Sequence, residues 1–243
     1  MSLVAINRFG GEAVYSQIAR QLEDEIQRFY QPGCYLPSEA ELAQRFGVNR
    51  HTLRRAIEEL MQAGLVERNH GKGTRVLDAP VDYTLGQNTR FTELLEAEGM
   101  TAVTRILRKL QIPAHDGVAK RLNLPENAPV IWLETLRLVD DRPYCVISHF
   151  LPLQRFPELL ESYTGGSLHD FILSNYQISL HRVESLVTAT LPLGDDAGLL
   201  HMPQHQAILR VKSVNVDAAC PEMPLEYALT RFRADRIQLR IRP

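Results

Sequence analysis

Residues 36–74, LPSEAELAQRFGVNRHTLRRAIEELMQAGLVERNHGKGT, set apolar spacing and turn residues in an order that leaves few folds open. Pro37, Ser38 and Glu39 form a helix-start signal, and Leu42, Ala43 and Phe46 recur at helical spacing to give one buried face. Gly47 stops that helix, and Asn49 suits the N-cap of a second. The second helix has Leu53, Ile57, Leu60 and Met61 as its apolar face, while its first turns expose Arg50, His51, Thr52, Arg54 and Arg55. Gly64 ends it. Residues 65–68 and 74–77 then read as short strands around Asn69-His70-Gly71-Lys72-Gly73, a glycine-rich hairpin turn.

A helix pair with basic surface residues is often no more than a solvated amphipathic pair. The ordered set of turn, cap, basic first turn and hairpin argues for a helix-turn-helix with a wing. In that motif the second helix lies in the major groove and only its first turns reach base edges, so the readers must crowd there. The net charge of −2 and pI near 6.5 hide a local asymmetry. Residues 45–75 hold seven Lys/Arg against three acids, an excess of four positive charges on the expected DNA face. So modest an excess implies sequence-specific binding to double-stranded DNA by a homodimer on a palindromic operator, rather than bulk electrostatic binding.

A length of 243 residues with 44% hydrophobic and 23% charged residues fits two globular domains. Val14, Ile18, Leu22 and Ile26 predict a first helix over residues 14–30. After Leu77 the run Asp78-Ala79-Pro80-Val81-Asp82-Tyr83 lacks periodicity and reads as an extended linker. The expected layout is a DNA-binding domain at 10–78, a linker at 79–88 and an effector-binding domain at 89–243. Three cysteines without metal spacing read as reduced structural thiols. No apolar run approaches the roughly 18 residues of a membrane helix, so a cytoplasmic protein with no membrane partner is expected. No metal site and no cofactor are expected either.

The second half holds an internal near-repeat. Residues 108–113 and the segment after them have the same order as residues 188–192 and theirs: strand, proline, short helix, LP or MP, then a strand hairpin. Two β-α-β-β units with a helix at 166–176 between them predict an α+β fold, a mixed and mainly antiparallel sheet covered by helices. A cleft between related halves suits a small ligand. Arg137, Glu226, Arg231 and the helix-capping Ser167 suggest an anionic, zwitterionic or sugar-phosphate ligand. The plainer readings are a cross-sheet salt bridge between Arg137 and Glu226, and simple capping by Ser167. GxSxG, HExxH, P-loop and CxxC patterns are absent from the sequence, which argues against an enzyme.

LPSEAELA, FGVNRHTLRRAIEEL, GLVER and HGKGT resemble the winged-helix domain of GntR-family bacterial transcription regulators over residues 14–78. The resemblance implies DNA contacts from Asn49, Arg50, His51, Thr52 and Arg54 on the recognition helix and from His70, Gly71 and Lys72 on the wing. Ala40 departs from the arginine common after the LPSE glutamate, which shifts direct readout toward Arg50 and Arg54. TRFTELLEAEG, ETLRLVDDRP, GSLHDFI and PLEYALTRFRAD are similar to the HutC subfamily's UTRA effector domain, a chorismate-lyase-like fold. That similarity implies an effector site of Phe91, Thr92, Arg137, Ser167 and Glu226, to which His169 and Arg231 are added. Thr135 and Phe232 stand where sugar-phosphate-sensing relatives tend to carry arginine and tyrosine. VNRHTLRRAI, CVISHF with His149 and GSLHDF with His169 look closest to PhnF-type regulators of phosphonate-utilisation operons. The implied function is a repressor relieved by a phosphonate or phosphate ester. An amino-acid or amino-sugar effector is the alternative, and a lyase-type enzyme a remote one.

Overall fold

The computed structural model describes residues 11–69, 71–77, 81–86, 102–139 and 141–241. Contacts divide the chain into two compact units, with the boundary between Val81 and Asp82.

In the first unit, helices α1 (Val14–Phe29), α2 (Glu39–Phe46) and α3 (Arg50–Gln62) precede a hairpin of β1 (Val66–Asn69) and β2 (Gly73–Val76). Three of these helix ends have a local cause. Ser38 caps α2 in a reciprocal box: its hydroxyl accepts from the Glu41 amide, and the Glu41 carboxylate accepts from the Ser38 amide at 2.8 Å. Gly47 closes α2 in the left-handed region at φ 62°. The Asn49 side chain starts α3 by accepting from the Thr52 amide at 2.8 Å. Ile18, Leu22, Phe46, Leu53, Ile57 and Leu60 meet in one core that Val66 and Val76 of the hairpin complete. Met61 is the exception, because it stays exposed and Ala56 occupies the buried face instead.

The second unit contains one six-stranded sheet, ordered β4-β5-β6-β9-β8-β7, with every neighbouring pair antiparallel. Its strands are β4 (Ala102–Pro113), β5 (Pro129–Val139), β6 (Arg142–Pro152), β7 (Leu180–Thr190), β8 (Ile208–Asp217) and β9 (Cys220–Arg233). Helix α4 (Asp116–Arg121) follows β4, and α7 (Asp196–Leu199) follows β7. The order is therefore two β-α-β-β halves joined at β6 and β9. Between the halves lie α5 (Leu159–Ser162) and α6 (Leu168–Tyr176). Leu168 and Ile172 of α6, with Phe156, Leu159 and Tyr163, pack on Leu133 and Leu151 of the sheet.

Part of the expected linker is a strand. β3 (Val81–Thr84) pairs with β10 (Ile237–Arg240) in a separate two-stranded ribbon. Tyr83 is buried there against Phe232 at a centroid distance of 5.4 Å, and Asp82 pairs with Arg240. The proline and two acids of this stretch hide a short alternation that becomes visible only with the partner strand in place.

Candidate functional site

On the first unit, Asn49, Arg50, His51 and Arg54 are exposed at the start of α3, and Thr52 is half-buried. Gly71 and Lys72 are exposed at the wing tip, whereas His70 lies outside the described residues. The cap occupies Asn49, whose Oδ1 also accepts from the Thr52 hydroxyl at 3.0 Å. Glu39 holds two of the arginines, with Arg54 Nε at 2.7 Å and Arg68 Nη2 at 3.1 Å. Its carboxylate therefore ties the start of α2 to Arg54 of α3 and to Arg68 of β1, a link that sequence reasoning missed. Arg55 stacks over the Tyr15 ring at 4.1 Å and is thereby turned toward its own domain.

Strand alternation decides what the second unit brings together. Arg137 of β5 pairs with Cys145 of β6, Cys145 with Phe232 of β9, and Glu226 of β9 with Asn215 of β8. These residues and His149 share one face, on which a cavity of about 70 Å³ is lined by Arg137, His149, Ser167, His169, Arg182, Asn215 and Glu226 among others. Four expected effector residues, Arg137, Ser167, His169 and Glu226, thus meet in one place. Arg231 does not. It lies five positions along β9 from Glu226, an odd step, so it faces the opposite side of the sheet and binds Glu134 there at 2.8 Å. Phe91 and Thr92 lie outside the described residues.

No cross-sheet bridge joins Arg137 to Glu226. The Glu226 carboxylate is fully buried and accepts from His149 Nδ1 at 2.5 Å, His169 Nε2 at 2.7 Å and Asn215 Nδ2 at 2.5 Å. Burial alone would push its pKa up, but the charge of His169 and the hydrogen bonds from both histidines hold it well below the usual carboxylate range. Burial moves His149 the other way, below the ordinary histidine value, against the pull of its bond to Glu226. His149 is then neutral at pH 7, donating from Nδ1 and leaving a buried Nε2 without a partner.

Two arginines add positive charge to the cavity. Arg137 Nη1 donates to the Gly166 carbonyl at 3.0 Å and to the Thr104 hydroxyl, which fixes the loop before α6. Arg182 donates to the Gly86 carbonyl and the Tyr83 hydroxyl. Among the described residues no carboxylate lies within ion-pair distance of either. The Nε atoms of both, and the Thr135 hydroxyl, are buried without partners. Ser167 accepts from the Asp170 amide, so it does cap α6, and it does so at the cavity wall. Asn215, Arg182 and Tyr83 were not legible as site residues, since their facing depends on which strand lies beside them.

Sequence comparison agrees with both halves of this architecture. Residues 14–76 match the family model described as bacterial regulatory proteins, gntR family, and residues 97–238 match the UTRA domain. The chain is 37% identical over 224 residues to the probable transcriptional regulator PhnF of Escherichia coli K12, covering 92% of each. It is 28% identical to the HTH-type transcriptional repressor NagR of Bacillus subtilis, covering 95% of each. The crystal structure of PhnF from Mycobacterium smegmatis superposes with a TM-score of 0.66 at 27% identity, over 93% of this chain and 98% of that one. With a winged helix-turn-helix, a UTRA domain and relatives named as transcriptional regulators, the chain belongs to the GntR family of bacterial regulatory proteins and is a transcriptional regulator rather than an enzyme.

Proposed function

We propose that the protein is a cytoplasmic homodimeric repressor that binds a palindromic operator through its winged helices and is released by a small anion held between β5, β9 and α6. The observation that carries the effector class is the charge balance of the cavity. Among the described residues its one carboxylate, Glu226, is already engaged by His149, His169 and Asn215, while no acid lies within ion-pair distance of Arg137 or Arg182. An anion supplies the missing charge and the missing acceptors. The volume of about 70 Å³ favours a compact head such as a phosphonate or phosphate ester, and the similarity to PhnF supports the same class. DNA-binding residues on this reading are Asn49, Arg50, His51, Thr52, Arg54, His70, Gly71 and Lys72.

Ligand that binds only the native protein raises its melting temperature, by about 2.7 kcal/mol of stability at a hundred times the dissociation constant. Thermal unfolding with aminoalkylphosphonates, phosphate esters, amino sugars and amino acids tests the proposal. Stabilisation by the first two classes that vanishes in Arg137→Ala supports it. Stabilisation by amino sugars or amino acids alone would replace it with the other effector class.

A further inference from the structure

The face of the sheet opposite the effector cavity carries a second and larger one, of about 350 Å³. That volume falls within the range of roughly 300–1,000 Å³ common to small-molecule sites. The floor is Trp132 and Glu134 of β5, Leu229 and Arg231 of β9, and Arg210 of β8, all out of phase with Arg137 and Glu226. α7 and the preceding residues 191–195 form one wall.

The acids facing this cavity are largely engaged. Glu134 accepts from Arg231 and from the Ser148 hydroxyl, each at 2.8 Å, and Arg108 Nε stands 3.7 Å away. Asp196 lies 3.1 Å from Arg231 Nε. Arg210 is different. It sits directly across from Arg231 on the neighbouring strand, a repulsive like-charge pair, and among the described residues no carboxylate lies within ion-pair distance of it. Arg210 Nε, Arg231 Nε and Trp132 Nε1 are buried without a hydrogen-bond acceptor, Arg231 Nε being only within ion-pair range of Asp196. Buried donors are almost always partnered, so three orphans on residues lining one cavity point to a ligand that brings an acceptor. Arg108 stacks over the Trp132 ring at 4.6 Å and holds the indole in position. The mouth is apolar: Leu191 and Leu193 are 54% and 63% exposed there, with Leu199, Ile208 and Leu229 deeper. The exposed Asp195 at the rim disfavours a second negative charge.

We propose that this cavity is a second small-molecule site, separate from the effector cavity, that takes an organic monoanion with a short apolar body. Its acidic group meets Arg210 and Trp132 Nε1, and its body lies along the leucines. Trp132 is the single tryptophan of the chain, so its emission reports on this cavity directly. The full-length protein is titrated with hexanoate, hexanol and hexylamine while Trp132 fluorescence is followed. A saturable change with hexanoate, about ten-fold tighter than with hexanol and absent with hexylamine, is expected from a charge-assisted contact. Arg210→Gln should lose that ten-fold preference, and Arg137→Ala should keep it. No saturable change, equal response to hexanol, or loss of the response in Arg137→Ala would overturn the proposal. If Arg210→Gln does not fold, the preference for hexanoate in the unmodified chain and in Arg137→Ala decides the matter.

Discussion

Glu226 shows how one side chain can organise a site without being free to bind. It is ionised, fully buried and held by three donors, so removing its charge leaves two histidines and an amide competing for a weaker acceptor. Glu226→Gln should cost about 2 to 4 kcal/mol of stability in urea unfolding, against under about 0.5 for the exposed Glu222→Gln. Equal effects would show the network to be incidental. Cys145 makes a second residue-level case, because burial pushes its thiol up to about 12 while Cys34 and Cys220 are exposed. Alkylation of the native protein at pH 8 should modify Cys34 and Cys220 and spare Cys145 until unfolding; early labelling of all three would contradict its burial. Arg137, Ser167, His169 and Glu226 were legible from sequence, but their pairing was not. The plainer reading of an Arg137–Glu226 bridge does not hold, because His149, His169 and Asn215 engage the carboxylate instead. Arg231 was grouped with Glu226 although their odd separation on one strand already sends them to opposite faces.

At the level of elements, the two repeated halves could be read from strand, helix and turn signals alone, and they become β4-α4-β5-β6 and β7-α7-β8-β9 in one sheet. The winged helix was equally legible, since its caps are local chemistry: Ser38, Gly47 and Asn49 act within a turn of themselves. β3 was not legible, because its strand character depends on β10, over 150 positions away. The Glu39 clamp on Arg54 and Arg68 was missed for the same reason. It gives the reading helix a testable asymmetry. Arg54→Ala should weaken specific operator binding by about 1 to 3 kcal/mol with little effect on random DNA, whereas Lys72→Ala should weaken both alike and lower the salt dependence. Filter-binding titrations on the two DNAs at several salt concentrations separate the cases. Equal loss on both DNAs for Arg54→Ala would remove it from base readout.

For the molecule as a whole, the buried Glu226 and His149 couple stability to pH with one sign. A carboxylate held below its ordinary 4.5 stabilises the fold above that pH and loses its contribution as pH falls. A histidine held below its ordinary 6.5 leaves the unfolded chain to bind the proton first, so stability again falls as pH drops through 6.5. Asp196, raised by burial, acts oppositely, but only from its ordinary 3.8 upward through its own shift. The melting temperature should therefore fall between pH 7 and 5.5, and His149→Gln should flatten that part of the curve; a curve unchanged by the substitution would assign the acid sensitivity elsewhere. On the proposed function, effector binding shifts the population of DNA-binding arrangements away from the spacing that a palindrome requires. The most direct test is a gel-shift titration of the full-length protein on the DNA upstream of its own gene, with and without aminoalkylphosphonates and phosphate esters. The expected result is a retarded complex that these anions release, and an Arg137→Ala variant that binds the same DNA but is not released. Normal release of Arg137→Ala, or no preference for that DNA over random sequence, would contradict it.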